Sequence, residues 1–242
     1  MKTTFATTLI TLAFALAGSG LQATEPPPTL TLTEKFNSTP LDPATWYVSK
    51  KGKGRLVQKN GKLNFVVGSY PGNNNLGAAE LICQYPGYDE AWELTVALTN
   101  ASGSGKNASC GVMICHAEDR SDYFYLDFNG LSGVTSGMYA NGRKLDGSFD
   151  RKSSWKKARI RIQYANQLMK FSISPTGEPD SWLKIGTFSP TAASEKVPAK
   201  LHANWRMRPT DTFGIQLFGF ADSTSVRAGK ITLDNFSLSV TR

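Results

Sequence analysis

Histidine and cysteine are scarce in this chain: two and three, respectively, among 242 residues. No Cys-x-x-Cys pair occurs, so the sequence offers none of the spacings that build a structural zinc site. Cys83, Cys110 and Cys115 cannot all pair within one chain, which leaves at least one free or bonded to another molecule. Cys110 and Cys115 bracket what reads as a single strand, where five residues span roughly 16 Å, beyond the reach of a disulfide. Any bridge would therefore use Cys83, and the alternative is three buried thiols. Acid is also short relative to base, 19 against 27, for a formal charge of +8. Helical periodicity is almost missing, as is any Gly-x-Ser-x-Gly elbow. The Gly-rich run Ser102-Gly103-Ser104-Gly105-Lys106 lacks the strand and helix context of a phosphate loop.

Long apolar runs are equally rare, and the one present opens the chain. Lys2 precedes an apolar stretch from Phe5 to Ala17, and Gly18-Ser19-Gly20-Leu21-Gln22-Ala23 supplies small residues for cleavage. This is the pattern of a secretory signal peptide over residues 1–23. It is short for a membrane span, which needs about 20 strongly apolar residues. Residues 24–29 follow as a spacer carrying Pro26, Pro27 and Pro28, which favour an extended chain. Residues 30–242 suit one β-sandwich domain, a class that reaches about 200–250 residues. The expected product is secreted or periplasmic, monomeric, and without a transmembrane segment once mature. A basic exported domain points to an acidic neighbour, such as an anionic polysaccharide, a cell wall or a membrane surface. Export argues against nucleic acid. Solubility alone is the other explanation of the charge.

What the chain has in plenty is strand signal. Arg55 to Lys59, Asn60-Gly61, then Lys62 to Val67 reads as a hairpin, because Asn-Gly takes the positive φ angles of a type I′ turn. Ala91 to Leu98 alternates, with Trp92, Leu94, Val96 and Leu98 on one side. Ala158 to Tyr164 does the same, with Arg159 and Arg161 on its outer face, and Asn166-Gln167 turns it into Leu168 to Ile173. Thr212 to Phe220 and the C-terminal segment complete the set. Many short strands with regular turns predict an all-β sandwich of two antiparallel sheets. Leu41 to Thr45 is the one candidate helical turn, with Asp42 to cap it and Pro43 at its first position.

Two segments carry a resemblance. Phe36 to Trp46 with Asn60 to Phe65 near the start, and Ile231 to Val240 at the end, resemble the first and last strands of concanavalin A-like lectin/glucanase sandwiches. The middle is similar, more loosely, to secreted domains related to 3-keto-disaccharide hydrolases. It shares their layout of Gly111-Val112-Met113, Tyr123-Phe124-Tyr125 and an alternating strand after Trp155. The resemblance implies a jelly-roll of the concanavalin A type, a scaffold that carries lectins, binding modules, glycosidases and lyases alike. It also implies a structural calcium near the joined terminal strands, for which Asp234 and Glu34 are the candidate ligands. No other cofactor is implied. The glucanases of this fold carry Glu-x-Asp-x-Glu on one strand, to set a pair of carboxylates about 5–5.5 Å apart. Here the corresponding strand reads Tyr123-x-Tyr125-x-Asp127, with one carboxylate, so the sequence leans away from an enzyme.

The candidate site follows from period two. In the segment Asp122 to Phe128, Phe124, Leu126 and Phe128 take the core face, leaving Tyr123, Tyr125 and Asp127 together on the other. Phenol rings pack on the C–H faces of sugars while a carboxylate takes hydroxyls. His116 or Glu118 is expected beside them on the preceding strand. A second candidate is the loop His202 to Pro209, where Trp205 offers a stacking face and Arg206 a planar fork for carboxylate or sulfate. For Trp205 the alternative is an anchor that pins the loop to the core. If Arg159 and Arg161 line the same surface, the ligand would be anionic. The expected function is glycan binding, possible ligands including an anionic polysaccharide. A hydrolase or lyase on the same scaffold and a structural or adhesive exported domain are its rivals.

Overall fold

The structure, a computed structural model, describes residues 29–37, 40–67, 75–83, 85–100, 108–129, 133–145, 150–151, 155–191, 199, 202–221 and 230–242. The expected signal peptide and spacer residues 24–28 lie outside this set. Turn chemistry organises what is described. Asn60-Gly61 has φ of 55° and 66°, Asn141-Gly142 has 49° and 71°, and Asn166-Gln167 has 51° and 59°. Each pair is left-handed at both positions, the type I′ geometry whose twist matches the strands it joins. Asp42 closes the predicted turn before Trp46: its Oδ1 accepts from the Ala44 N–H and its Oδ2 from the Thr45 hydroxyl. The turn does not extend into a helix, and the described residues contain no α-helix.

The strands form two eight-stranded antiparallel sheets. The back sheet runs β14 (Leu183–Phe188), β13 (Leu168–Ser174), β12 (Lys157–Ala165), β6 (Ala91–Asn100), β16 (Lys230–Thr241), β4 (Leu63–Val67) and β3 (Gly54–Gln58). β1 (Thr29–Glu34) also belongs to it, paired along β16 from Thr29↔Thr241 to Glu34↔Phe236. β16 thus offers one edge to two partners, β4 over Lys230 to Leu233 and β1 beyond the irregularity at Asp234. Asn235, at φ 49°, makes the break between them. The terminal strands are joined, as the resemblance implies.

The front sheet runs β10 (Arg143–Lys144), β9 (Gly133–Ala140), β8 (Tyr123–Asn129), β7 (Ala108–His116), β15 (Phe213–Ala221), β5 (Asn75–Leu81) and β2 (Trp46–Lys51), with β11 (Asp150–Arg151) on β9. The predicted alternations hold. Trp92, Leu94, Val96 and Leu98 of β6, and Ala158, Ile160, Ile162 and Tyr164 of β12, all face the core. Phe124 reaches across the layers to Phe171 and Phe188, with ring centroids 4.5 and 5.0 Å away. A large apolar side chain so buried contributes about 1.5–3 kcal/mol. A one-residue slip of β8 would expose Phe124, Leu126 and Phe128 together, so its register is strongly specified.

Close approach of the layers is paid in glycine. A β-carbon on Gly219 would fall 2.1 Å from the Phe65 ring, and one on Gly77 would fall 2.7 Å from the backbone of Arg55. The second contact closes one side of the sandwich, where Gly52-Lys53 turns the chain from β2 into β3 of the other sheet.

Candidate functional site

Tyr123, Tyr125 and Asp127 stand together on the outer face of the front sheet, as alternation requires, above a fully buried Phe124, Leu126 and Phe128. Their neighbours come from register. Tyr139 lies opposite Tyr123 and stacks on it at 4.4 Å with 10° between planes. Gly137 lies opposite Tyr125 and Met113 on its other side. Phe218 meets the Tyr125 ring edge-on at 6.4 Å. Together with Phe220 and Leu76, Tyr123, Tyr125, Asp127, Met113 and Phe218 line a recess of about 280 Å³. Gly111, between Asp127 and Phe218 in register, leaves the middle of this floor without a side chain.

The polar groups are few and fixed. Ser109 Oγ donates to Asp127 Oδ2 at 2.9 Å. Glu80, buried on the same face, has both oxygens bonded by the guanidinium of Arg120. Burial, and then the neighbouring Tyr139, push the Tyr123 phenol up to about 12, so it stays a neutral hydrogen-bonding group across the physiological range.

His116 is not beside the tyrosines. In β7 it is Cys115 that pairs with Tyr123, so the next residue turns to the core side, where His116 is buried. Its Nε2 lies 3.2 Å from Asp211 Oδ2 without hydrogen-bond alignment. Glu118 completes a group whose ligand atoms lie within 4.8 Å of one another. A cation already sits among them: Arg208 bonds Asp211 through its backbone N–H and guanidinium, and Glu118 through Nη2 at 2.9 Å. The Arg208 N–H, then its charge, hold Asp211 below the usual carboxylate range. This arrangement clamps the segment before β15 to the end of β7.

Arg159 and Arg161 are on the other sheet. They face outward from β12, where Arg161 lies 4.2 Å over the Trp182 ring, so they line no surface with Tyr125. Trp205 is buried too. Its indole N–H donates to the Tyr139 carbonyl at 2.8 Å and its ring meets Phe188 edge-on, so it anchors the loop instead of presenting a stacking face. Arg206, next to it, is exposed.

The two calcium candidates act on their own backbone. Glu34 Oε1 accepts from the Phe36 N–H at 2.6 Å, and Asp234 Oδ1 from the Asn235 N–H at 2.7 Å. Calcium gathers six to eight oxygens. Among the described residues the convergent ligand group is the one around His116, and it includes neither Glu34 nor Asp234. Cys83, Cys110 and Cys115 are all unbridged, with Cys83 exposed.

Met113, Phe218, Phe220, Leu76 and Tyr139 are site residues that the sequence reading did not pick out. For Tyr139 a signal existed: it lies two residues before the Asn141-Gly142 turn, within pairing reach of the tyrosine strand.

No protein-family model matches the chain, and no curated protein matches its sequence. Solved structures do match in shape. A family GH16 endo-β-1,3(4)-glucanase, SCLam, superposes with a TM-score of 0.59 at 10% identity, covering 90% of this chain and 95% of its own. The lectin UEA-II, solved with galactose, gives 0.56 at 11% identity over 88% and 99%. The carbohydrate recognition domain of Emp47p gives 0.53 at 14% identity over 86% and 93%. The chain therefore has the concanavalin A-like sandwich fold, at identities that speak to fold alone. No helix among its described residues is long and apolar enough to cross a membrane.

Proposed function

We propose that the protein is an exported glycan-binding module whose ligand lies on the outer face of the front sheet. One observation carries this reading: the recess in which Tyr123 and Tyr125 stand beside Met113, Phe218 and Phe220, with Asp127 at hand. Apolar ring faces matched to a single carboxylate suit a sugar, which has C–H faces and hydroxyl edges. The glucanase, the lectin and the recognition domain that share the fold lend it context by analogy. Export rests on the N-terminal pattern over residues 1–23.

Binding is favoured over hydrolysis by how the acids are arranged. Among the side chains described on this face the carboxylates are Asp127 and Glu80, on β8 and β5, with β7 and β15 between them. Three strand spacings put their backbones about 14 Å apart, well beyond either working separation of a glycosidase pair. Both Glu80 oxygens are also engaged by Arg120. The test is a polysaccharide array probed with the parent and with Tyr125→Ala, scored for retention and for new reducing or unsaturated ends. Retention by the parent, at least tenfold weaker in the variant, with no new chain ends, is the expected result. Equal retention by both would move the site off this face, and new chain ends would make the protein an enzyme.

A further inference from the structure

The tyrosine recess leaves the excess of base unused, and much of that base is gathered on the opposite side of the sandwich. β12, β13 and β14 carry Lys157, Arg159, Arg161, Lys170 and Lys184, and no Asp or Glu. Register puts all five on the outer face of the back sheet. Lys157, Arg159 and Arg161 alternate with the buried Ala158, Ile160 and Ile162, and Lys170 stands between the buried Met169 and Phe171. Arg161 pairs with Ser172, and Ser172 with Lys184. Lys170 pairs with Gln163, six residues on from Lys157, so the patch runs about 20 Å along the strands. From Arg161 to Lys184 it spans two strand spacings, about 10 Å.

The two arginines are held by their surroundings. Arg161 lies over the Trp182 ring, and Gly177 packs on the stem of Arg159, where a β-carbon would fall 2.3 Å from Cδ. Side chains ordered in advance lose less freedom when a ligand binds. Among the described residues, none of the five cations is in an ion pair. Glu178 and Asp180 are exposed in the loop after β13 and pair with none of them. Glu93, on the adjoining β6, accepts instead from the Gln163 amide.

We propose that this face is a second binding surface, for an acidic polysaccharide bearing carboxylate or sulfate groups. Ammonium and guanidinium groups make charge-assisted bonds to such oxygens, weakened by salt where they are exposed. The rest of the face favours carbohydrate over a lipid surface. Thr95 and Ser237 continue the row of Arg161, and Thr99 and Thr232 that of Lys157, so hydroxyls adjoin the cations. A protein that lies in a membrane interface buries apolar side chains there. The exposed large apolar residues Leu30, Tyr47, Val48 and Ile82 all lie off β12, β13 and β14. The patch and the Tyr123–Tyr125 recess are on opposite sheets, so occupation of one leaves the other open. The inference goes beyond the glycan reading, and either can hold without the other.

The experiment compares two pairs of polymers, each alike except in charge: dextran sulfate with dextran, and polygalacturonate with its methyl ester. Retention by the full chain is measured from about 0.05 M to about 0.5 M salt, a range over which exposed charges become screened. At least one acidic member should be held more tightly than its neutral partner, with the difference shrinking as salt rises. Lys157→Gln/Arg159→Gln/Lys170→Gln should weaken acidic retention roughly three- to thirtyfold, the scale of three exposed ion pairs. Lys51→Gln/Arg143→Gln/Lys144→Gln takes the same charge from the edges of the front sheet. At about 0.15 M salt, where charges act over roughly 8 Å, it should change retention less than twofold. Equal losses in the two variants would reduce the effect to net charge and overturn the inference, as would equal retention of the acidic and neutral polymers. Phosphatidylcholine vesicles containing phosphatidylglycerol, or single-stranded DNA, held as tightly as the acidic polysaccharides would also overturn it, by showing attraction to any polyanion. Tyr125→Ala should retain the acidic polymers like the parent. Their loss in that variant would place them on the front sheet and remove the second surface.

Discussion

The ring of Tyr125 lies against Gly137, its cross-strand partner, so closely that a β-carbon on Gly137 would come 2.5 Å from Cε1 and 2.8 Å from Cζ. The missing side chain is what lets the phenol lie where it does. Gly137 is not at positive φ, so alanine is compatible with its backbone. Glycine inside a strand costs roughly 0.5–1 kcal/mol relative to alanine. The conflict is therefore confined to the far end of one side chain. Gly137→Ala should leave the melting temperature unchanged or slightly raised while it displaces the Tyr125 ring. Glycan retention should then fall to the level of Tyr125→Ala. A variant that binds like the parent would separate Tyr125 from the ligand.

Gly111 predicts the opposite pattern. A β-carbon there would meet the Leu126 carbonyl oxygen at 2.0 Å, and that contact is backbone. No rotamer change relieves it, so β7 and β8 must move apart. Gly111→Ala should lower stability by about 1–3 kcal/mol, the usual cost of overpacking. Urea unfolding checks this, and a midpoint equal to that of the parent would contradict the strand spacing described here.

The contrast between these glycines marks how far the sequence could be read. β8 was legible because its aromatic and apolar residues alternate with period two, and burial forbids the other register. Its partners were harder. Thr212 to Phe220 is apolar at nearly every position, so periodicity could not say that Phe218 and Phe220 face outward while Ile215 and Leu217 face the core. Leu76 directly follows Asn73-Asn74-Asn75, which reads as a turn. Arg159 and Arg161 face outward, as alternation predicts, but alternation within a strand does not say to which sheet the strand belongs. His116 lies in the strand its neighbours predict, but one position past Cys115, so parity sends its side chain to the core.

Trp205 separates anchor from ligand contact. Its indole N–H satisfies the Tyr139 carbonyl, and its ring fills space against Phe188. Trp205→Phe keeps most of the packing and removes the donor, which should cost about 1–3 kcal/mol for the carbonyl left unpaired. The expected result is a lower melting temperature with retention preserved at temperatures where the variant is folded. Lost retention at an unchanged melting temperature would return Trp205 to the ligand site.

Alkali should loosen the front sheet in two overlapping steps. Burial raises the Cys115 thiol to about 11 and the Tyr123 phenol to about 12, against ordinary values of 9.0 and 10.0. Both groups are neutral when protonated, and the folded state holds the proton more tightly than the unfolded one. Their contribution is complete below pH 9, begins to fall as the unfolded thiol ionises, and is lost by about pH 12. Melting temperatures measured from pH 8 upward should decline over this window, less steeply for Cys115→Ala. A decline of the same slope in that variant would remove the thiol from the account.

The three thiols should report the same burial chemically. Cys83 is exposed, whereas Cys110 and Cys115 are buried in β7, with Cys115 Sγ set 3.7 Å from the Gly214 carbonyl. Only thiolate attacks an aromatic disulfide reagent, and a thiol near pKa 11 is about one part in a thousand ionised at pH 8. Burial, and then the charge of Asp127, push Cys110 up as well. In the native protein one equivalent should react promptly and two only after denaturant is added. The variant Cys83→Ser should lose the prompt phase and keep the slow one. A total of one thiol in denaturant would instead reveal a disulfide. Cys110 and Cys115 lie too far apart along one strand to form it, so the bridge would have to use Cys83 and would pull the end of β5 toward β7.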